Sequence, residues 1–147
     1  MGLIEDIGEG PVGLDTAVFI YFIEEHPDYL PLVEALFQAV DEERLQAVTS
    51  TLTLLETLVV PYRTANVALA ESYETILGHS RGLQLLDIDR RLSRYAAQLR
   101  AALGLKTPDA LQIAAALGSG CTAFVTNDRA LPSFETMKVV QLSNYLA

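Results

Sequence analysis

With 147 residues, 50% of them hydrophobic, the chain has the commonest length for one globular domain and enough apolar material for a sizeable core. No apolar run approaches the ~18 residues of a membrane span, and the first ten residues hold Glu5, Asp6 and Glu9 but no base, the wrong charge for a signal or transit peptide, so a cytoplasmic protein is expected. The net charge of −9 divides unevenly, with eleven acids and no Lys or Arg from Met1 to Glu43, then ten bases and eight acids from Arg44 onward, which excludes a general nucleic-acid-binding surface.

In chain order, PVGLD reads as a short buried strand ending at Asp15, and TAVFIYFIEEH as a helix that starts at Thr16 and breaks before Pro27. A second helix is expected from Pro31 to Glu43, with Leu32, Val33, Leu36, Phe37 and Val40 at helical spacing. The segment LQAVTS reads as a second strand. It leads into a helix over TLTLLETLVVPY, started by Ser50 or Thr51 and bent or broken near Pro61. A further helix runs from Asn66 to Leu77 and stops at Gly78. LQLLDI gives the third strand, and DRRLSRYAAQLRAALG an amphipathic helix with Leu92, Tyr95, Ala96, Leu99 and Leu103 on one face. Thr107 is expected to cap the next helix and Pro108 to take its first position in TPDALQIAAAL, followed by CTAFVT and MKVVQL as the fourth and fifth strands. Cys121 opens an apolar run, where a buried inert thiol is expected. Short apolar strands alternating with helices define an α/β domain with a mainly parallel sheet, covered on both faces, occupying residues 1 to 147.

Such sheets carry their sites at the carboxyl ends of the strands. Asp15 ends the first strand, Asp128 follows the fourth, and Glu56 lies in the helix after the second. Asp109 opens the helix that leads into the fourth strand. Each acid also has a purely structural role open to it: Asp15 as a helix cap, Asp128 as a turn residue, Glu56 on an exposed helical face, and Asp109 as a charge favouring the helix dipole. Two carboxylates about 5 Å apart repel by roughly 3 kcal/mol at an effective dielectric near 20, so four converging acids call for a cation. His26 and His79 read as surface residues, and with neither His nor Cys beside the acids an all-oxygen shell favours Mg²⁺ or Mn²⁺ over Zn²⁺. Thr16 and Thr126 stand next to these acids and are placed to support a ligand or a bound water.

The set LDTAVFIYFI, TLTLLETLV, KTPDALQIAAAL and FVTNDRAL, in this order and spacing, resembles the PIN-domain nucleases, most closely the VapC-type toxins of prokaryotic toxin–antitoxin pairs. The resemblance covers nearly the whole chain. It implies a three-layer fold with a five-stranded sheet in the order 3-2-1-4-5, and a metal-dependent endoribonuclease that cleaves phosphodiester bonds by in-line attack of a metal-activated water. It further implies that Asp15, Glu56, Asp109 and Asp128 bind Mg²⁺ or Mn²⁺, with Thr126 as the family's small hydroxyl residue before the last acid and Thr16 as its counterpart after the first. A homodimer and a small VapB-like antitoxin, whose C-terminal segment lies across the toxin, are implied as partners. Ala17 stands where family members often carry a polar residue. The acidic N-terminal third directs any RNA path elsewhere, to Arg94, Arg100, Lys106 and Arg129.

Three other readings compete. A stand-alone RNA-processing nuclease would share every motif. A non-catalytic PIN-fold module would use the same fold to hold a partner. A phosphoacceptor receiver domain also gathers acids at strand ends, but it needs an acid pair after the first strand and a lysine after the last. Here Asp15 is alone and Lys138 starts the last strand, although Asp87 and Asp89 do follow the third.

Overall fold

All five expected strands form in the computed structural model, which describes residues 2 to 146. They are β1 (Val12–Leu14), β2 (Ala47–Ser50), β3 (Leu83–Leu86), β4 (Ala123–Thr126) and β5 (Lys138–Gln141), and they make one sheet in the order β3-β2-β1-β4-β5. Every neighbouring pair is parallel. The register sets Val12 beside both Ala47 and Ala123, and Leu14 beside Val125. Asp15, Ser50 and Thr126 therefore leave the sheet at the same carboxyl edge.

The helices are α1 (Leu3–Ile7), α2 (Thr16–Ile23), α3 (Leu30–Asp41), α4 (Thr51–Arg63), α5 (Val67–His79), α6 (Arg90–Leu103) and α7 (Thr107–Gly118), with a short 3₁₀ turn at Leu142–Tyr145. Alternation along the strands sorts them into two layers. Val12 and Leu14 of β1, with Ala123 and Val125 of β4, join a cluster built with Leu3 and Ile7 of α1, Val18 and Phe19 of α2, and Val33 and Leu36 of α3. Phe124 points the other way, into a cluster with Ala96 of α6 and Ala110, Ile113 and Ala114 of α7. α4 and α5 pack on α2 through Leu58, Ala70, Tyr73, Ile20 and Ile23. The result is the expected three layers, helix, sheet and helix.

Four local expectations are corrected. α4 runs through Pro61 to Arg63. A proline two residues from the end forfeits only one backbone bond near the terminus, and Pro61 is buried while its carbonyl accepts the N–H of Asn66, which caps α5. α5 likewise passes Gly78 and ends at His79. α7 starts one residue early, with Lys106 at its cap and Thr107 already helical, and no side chain caps it. Leu103, expected on the apolar face of α6, is exposed. The segment before β1 holds the unanticipated α1, whose Leu3 and Ile7, four apart, are both buried. Asp6 of α1 accepts a hydrogen bond from the Tyr145 hydroxyl, tying this first helix to the 3₁₀ turn near the other end of the chain. No helix among the described residues is long and apolar enough to cross a membrane.

Candidate active site

Asp15 is both a cap and a member of an acid cluster. Extended backbone at Asp15 lets its Oδ1 accept the N–H of Thr16 at 2.9 Å, which starts α2. Its other oxygen accepts from the Thr126 hydroxyl at 2.6 Å. The Thr126 oxygen in turn accepts the backbone N–H of Asp128 at 3.0 Å, and Asp128 Oδ1 closes its own turn on the N–H of Ala130 at 2.9 Å. One wholly buried hydroxyl at the end of β4 thus orients both acids.

Glu56 lies on the exposed side of α4 and reaches back to Thr16, whose hydroxyl donates to its Oε1 at 2.7 Å. Asp109 sits in the first turn of α7, where its charge favours the dipole. Among the described residues its carboxylate takes part in no hydrogen bond. Capping therefore does not account for it.

The four acids feel one another. Burial pushes Asp109 above the usual carboxylate range, helped by the charges of Asp128, Asp15 and Glu56, while Lys106 opposes them. Burial also pushes Asp15 up, against the Thr126 hydroxyl and the Thr16 N–H that stabilise its charge, with Asp128 adding a repulsion. Among the described residues the one ion pair is Arg44 with Glu42, so no base neutralises the cluster directly. Oxygen donors alone, half-buried and mutually repelling, suit a hard divalent cation. As the side chains stand, no three acids, His or Cys among the described residues are gathered closely enough to enclose an ion.

Beneath the acids lies a buried polar layer that the sequence reading missed. Gln112 of α7 donates to Thr53 at 2.7 Å and to Thr16 at 3.3 Å, and accepts from Ser50 at 2.8 Å. Thr49 bonds both Thr53, at 2.8 Å, and the Leu14 carbonyl, at 3.0 Å. The available signal was a polar residue breaking an apolar stripe, as Gln112 does in TPDALQIAAAL and Thr53 in TLTLLETLVV.

The expected RNA contacts scatter. Lys106 stands beside Asp109. Arg100 is pinned to the loop below it, donating to the Leu105 carbonyl and to Thr107, each at 2.9 Å. Arg129 bonds Ser143 and Asn144. Arg94 lines a cavity of about 660 Å³ together with Ala114, Gly118 and Ser119, at the opposite end of α7 from Asp109. Nine residues of helix, ~13 Å, separate that end from the acids.

Asp87 and Asp89 also stay away from the cluster. Both line that same cavity, and Asp89 caps α6 on the N–H of Leu92. The receiver reading thereby loses its acid pair. His26 accepts the N–H groups of Asp28 and Tyr29 and packs against Tyr21, a turn role. Cys121 is buried, which pushes its thiol up to about 12 and leaves it inert.

A parallel sheet in the order 3-2-1-4-5 with four acids at its carboxyl edge defines a class, and the sequence agrees: residues 12–136 match the PIN domain family, so the chain belongs to it. Among solved structures, it is similar to VapBC2 from Rickettsia felis bound to a promoter DNA fragment, at 18% identity and a TM-score of 0.68, covering 88% of this chain and 97% of that one. It is similar to the Mycobacterium tuberculosis toxin VapC20, described as cleaving the sarcin-ricin loop, at 16% identity and a TM-score of 0.63, covering 77% and 86%. It is also similar to DNA-bound VapBC from Salmonella typhimurium, at 23% identity and a TM-score of 0.59, covering 89% and 97%. At these identities the likeness is one of fold. No curated protein matches the chain in sequence.

Proposed function

We propose that the chain, residues 1 to 147 as one PIN domain, is a Mg²⁺- or Mn²⁺-dependent endoribonuclease and the toxin of a VapBC-type pair. The observation that carries this reading is the placement of Asp15, Glu56, Asp109 and Asp128, from four parts of the chain, at one carboxyl edge of the sheet, where Thr126 bonds both Asp15 and the Asp128 backbone and Thr16 bonds Glu56. Placing like charges together lowers stability, and a cation-dependent reaction supplies the reason to do so. Solved VapBC complexes and a sarcin-ricin loop cleaving toxin share the fold, which favours RNA as substrate and an antitoxin as partner. Exposed Leu55, Val59, Val60 and Tyr62 on α4, with Val67 opening α5, suit such a protein partner or a second copy.

In this reading Asp15, Glu56, Asp109 and Asp128 hold the cation, which when bound orients a water and neutralises phosphate oxygens. The residues of the chain do the rest. Thr126 aims the Asp15 carboxylate while fixing the Asp128 backbone, and Thr16 aims Glu56. Lys106 offers the ammonium nearest the acids for a substrate phosphate, with Arg100 behind it and Arg129 on the far flank. Arg94 would meet RNA only where the strand extends down α6.

The test is a cleavage assay on structured RNA with purified protein freed of any partner. Cleavage is expected with Mn²⁺ or Mg²⁺, stopped by chelation, and lost in Asp15→Asn and Asp128→Asn. Neither metal binding nor cleavage in the wild type, or unchanged activity in both variants, would sink the proposal and leave a binding module.

A further inference from the structure

The geometry points to Gln112, a residue that touches none of the four acids, as the positioning residue for Glu56. The inference rests on the metal-dependent nuclease reading.

Proton directions in the buried layer follow from its end points. The Leu14 carbonyl and the Glu56 carboxylate only accept. The Thr49 hydroxyl donates to Leu14, at 3.0 Å, so in the 2.8 Å contact between Thr49 and Thr53 the proton belongs to Thr53. The Thr16 hydroxyl donates to Glu56, at 2.7 Å. Both threonines have then spent their single protons, and in their 3.2 Å mutual contact neither has one left to give. Each still needs a donor. Gln112 supplies both, sending its amide N–H groups to Thr53 at 2.7 Å and Thr16 at 3.3 Å.

The amide therefore has one workable orientation. Turned over, its oxygen would face two hydroxyl oxygens with no proton between them. In the observed orientation the oxygen accepts from Ser50, at 2.8 Å, and the Ser50 oxygen takes the N–H of Leu52 to start α4. Gln112 is 4% exposed, and Ser50 and Thr53 are fully buried, so water offers no substitute partners. Donors arranged in series polarise one another. The series from Gln112 through Thr16 ends on the Glu56 carboxylate, and the same amide grips α4 at its first turn, about one and a half turns before Glu56. Since α7 also carries Asp109, one side chain sets the spacing of two acids borne by different helices.

The experiment measures Mn²⁺ affinity by the loss of the free-ion paramagnetic resonance signal, alongside cleavage and thermal unfolding. Gln112→Met keeps the length and removes the donors. Partners bonded directly to metal ligands typically matter about 10- to 100-fold in affinity, and for Gln112, one hydrogen bond further back, a loss near the lower end of that range is expected, with a parallel fall in cleavage. The decisive readout is non-additivity: on a Glu56→Gln background, adding Gln112→Met should change Mn²⁺ affinity little, because the residue acts through Glu56. If Gln112→Met unfolds, Thr16→Val severs the same series while leaving Gln112 buried, and the same loss and the same non-additivity are expected. Wild-type affinity in the folded variant, or losses that multiply in full in the double variant, would overturn the inference while leaving the nuclease reading intact. A wild-type protein that binds no Mn²⁺ would overturn both.

Discussion

Thr126 donates to Asp15 at 2.6 Å from the end of the neighbouring strand, across 111 positions of sequence. That bond adds to the backbone bond from the Asp15 N–H to the Val125 carbonyl, at 3.0 Å, that joins the ends of β1 and β4. It stabilises the charged form of a carboxylate that burial disfavours. Thr126→Val, nearly isosteric, removes the donor and leaves the N–H of Asp128 without its partner. A loss of about 1 to 3 kcal/mol is expected at neutral pH, read by urea unfolding, together with weaker Mn²⁺ binding. Unchanged stability and unchanged affinity would mean that the hydroxyl fills space only.

The acid cluster also sets a pH dependence of unusual sign. The folded protein holds Asp15 and Asp109 above the ordinary aspartate value of 3.8, so between that value and the raised ones the folded state binds more protons than the unfolded. Stability from these groups is fully present below pH 3.8, falls as pH rises through the raised values, and stays lost above them. Asp15→Asn removes one of these groups. In chelator, its melting temperature relative to wild type should therefore climb as the pH is raised from about 4 towards 7. Saturating Mn²⁺ should reverse the ranking at pH 7, because only the wild type retains the full carboxylate set. A difference that shrinks with rising pH in chelator would contradict the assigned direction.

Gly13 tests the packing behind the site. A Cβ built there would lie 2.6 Å from the Phe124 ring and 2.7 Å from the Cβ of Ala116. Both neighbours are buried, in β4 and α7, and neither has room to retreat. Gly13→Ala should cost about 1 to 3 kcal/mol, as a lower denaturation midpoint. Shifting β1 against β4 would also loosen the acids. A variant as stable as wild type would show that α7 yields easily.

The strands and the candidate acids that close them were legible because a strand covered on both faces must be a short apolar run, and the residue that ends it must be polar. Asp15 and Asp128 announced themselves that way. Glu56, in the helix after the second strand, pointed to the same edge, whereas Asp109 was visible only as an acid opening an apolar helix, and the fold is what brings it there. The inward polar layer was not legible. A helical stripe that is apolar except for Gln112 looks the same whether that residue faces solvent or the core, and the partner that decides it, Thr53, is 59 positions away. Pro61 misled for a related reason: its cost as a helix breaker is local, while its burial against the α4–α5 turn is tertiary. The brief α1 spans five residues, and its apolar positions Leu3, Ile4 and Ile7 are too few to establish a period.

The two helical layers differ in charge as well as in place. α1, α2 and α3 with their loops fall within Met1–Glu43, which contributes −11, while α6 on the opposite face bears Arg90, Arg91, Arg94 and Arg100. The sheet thus separates a negative plate from a positive one, and the molecule carries a permanent electric moment across its thin dimension. For the RNA substrate proposed above, this moment would turn the α6 face towards the strand before contact. Encounter would then be oriented rather than random, an effect that fades with added salt as the Debye length shrinks.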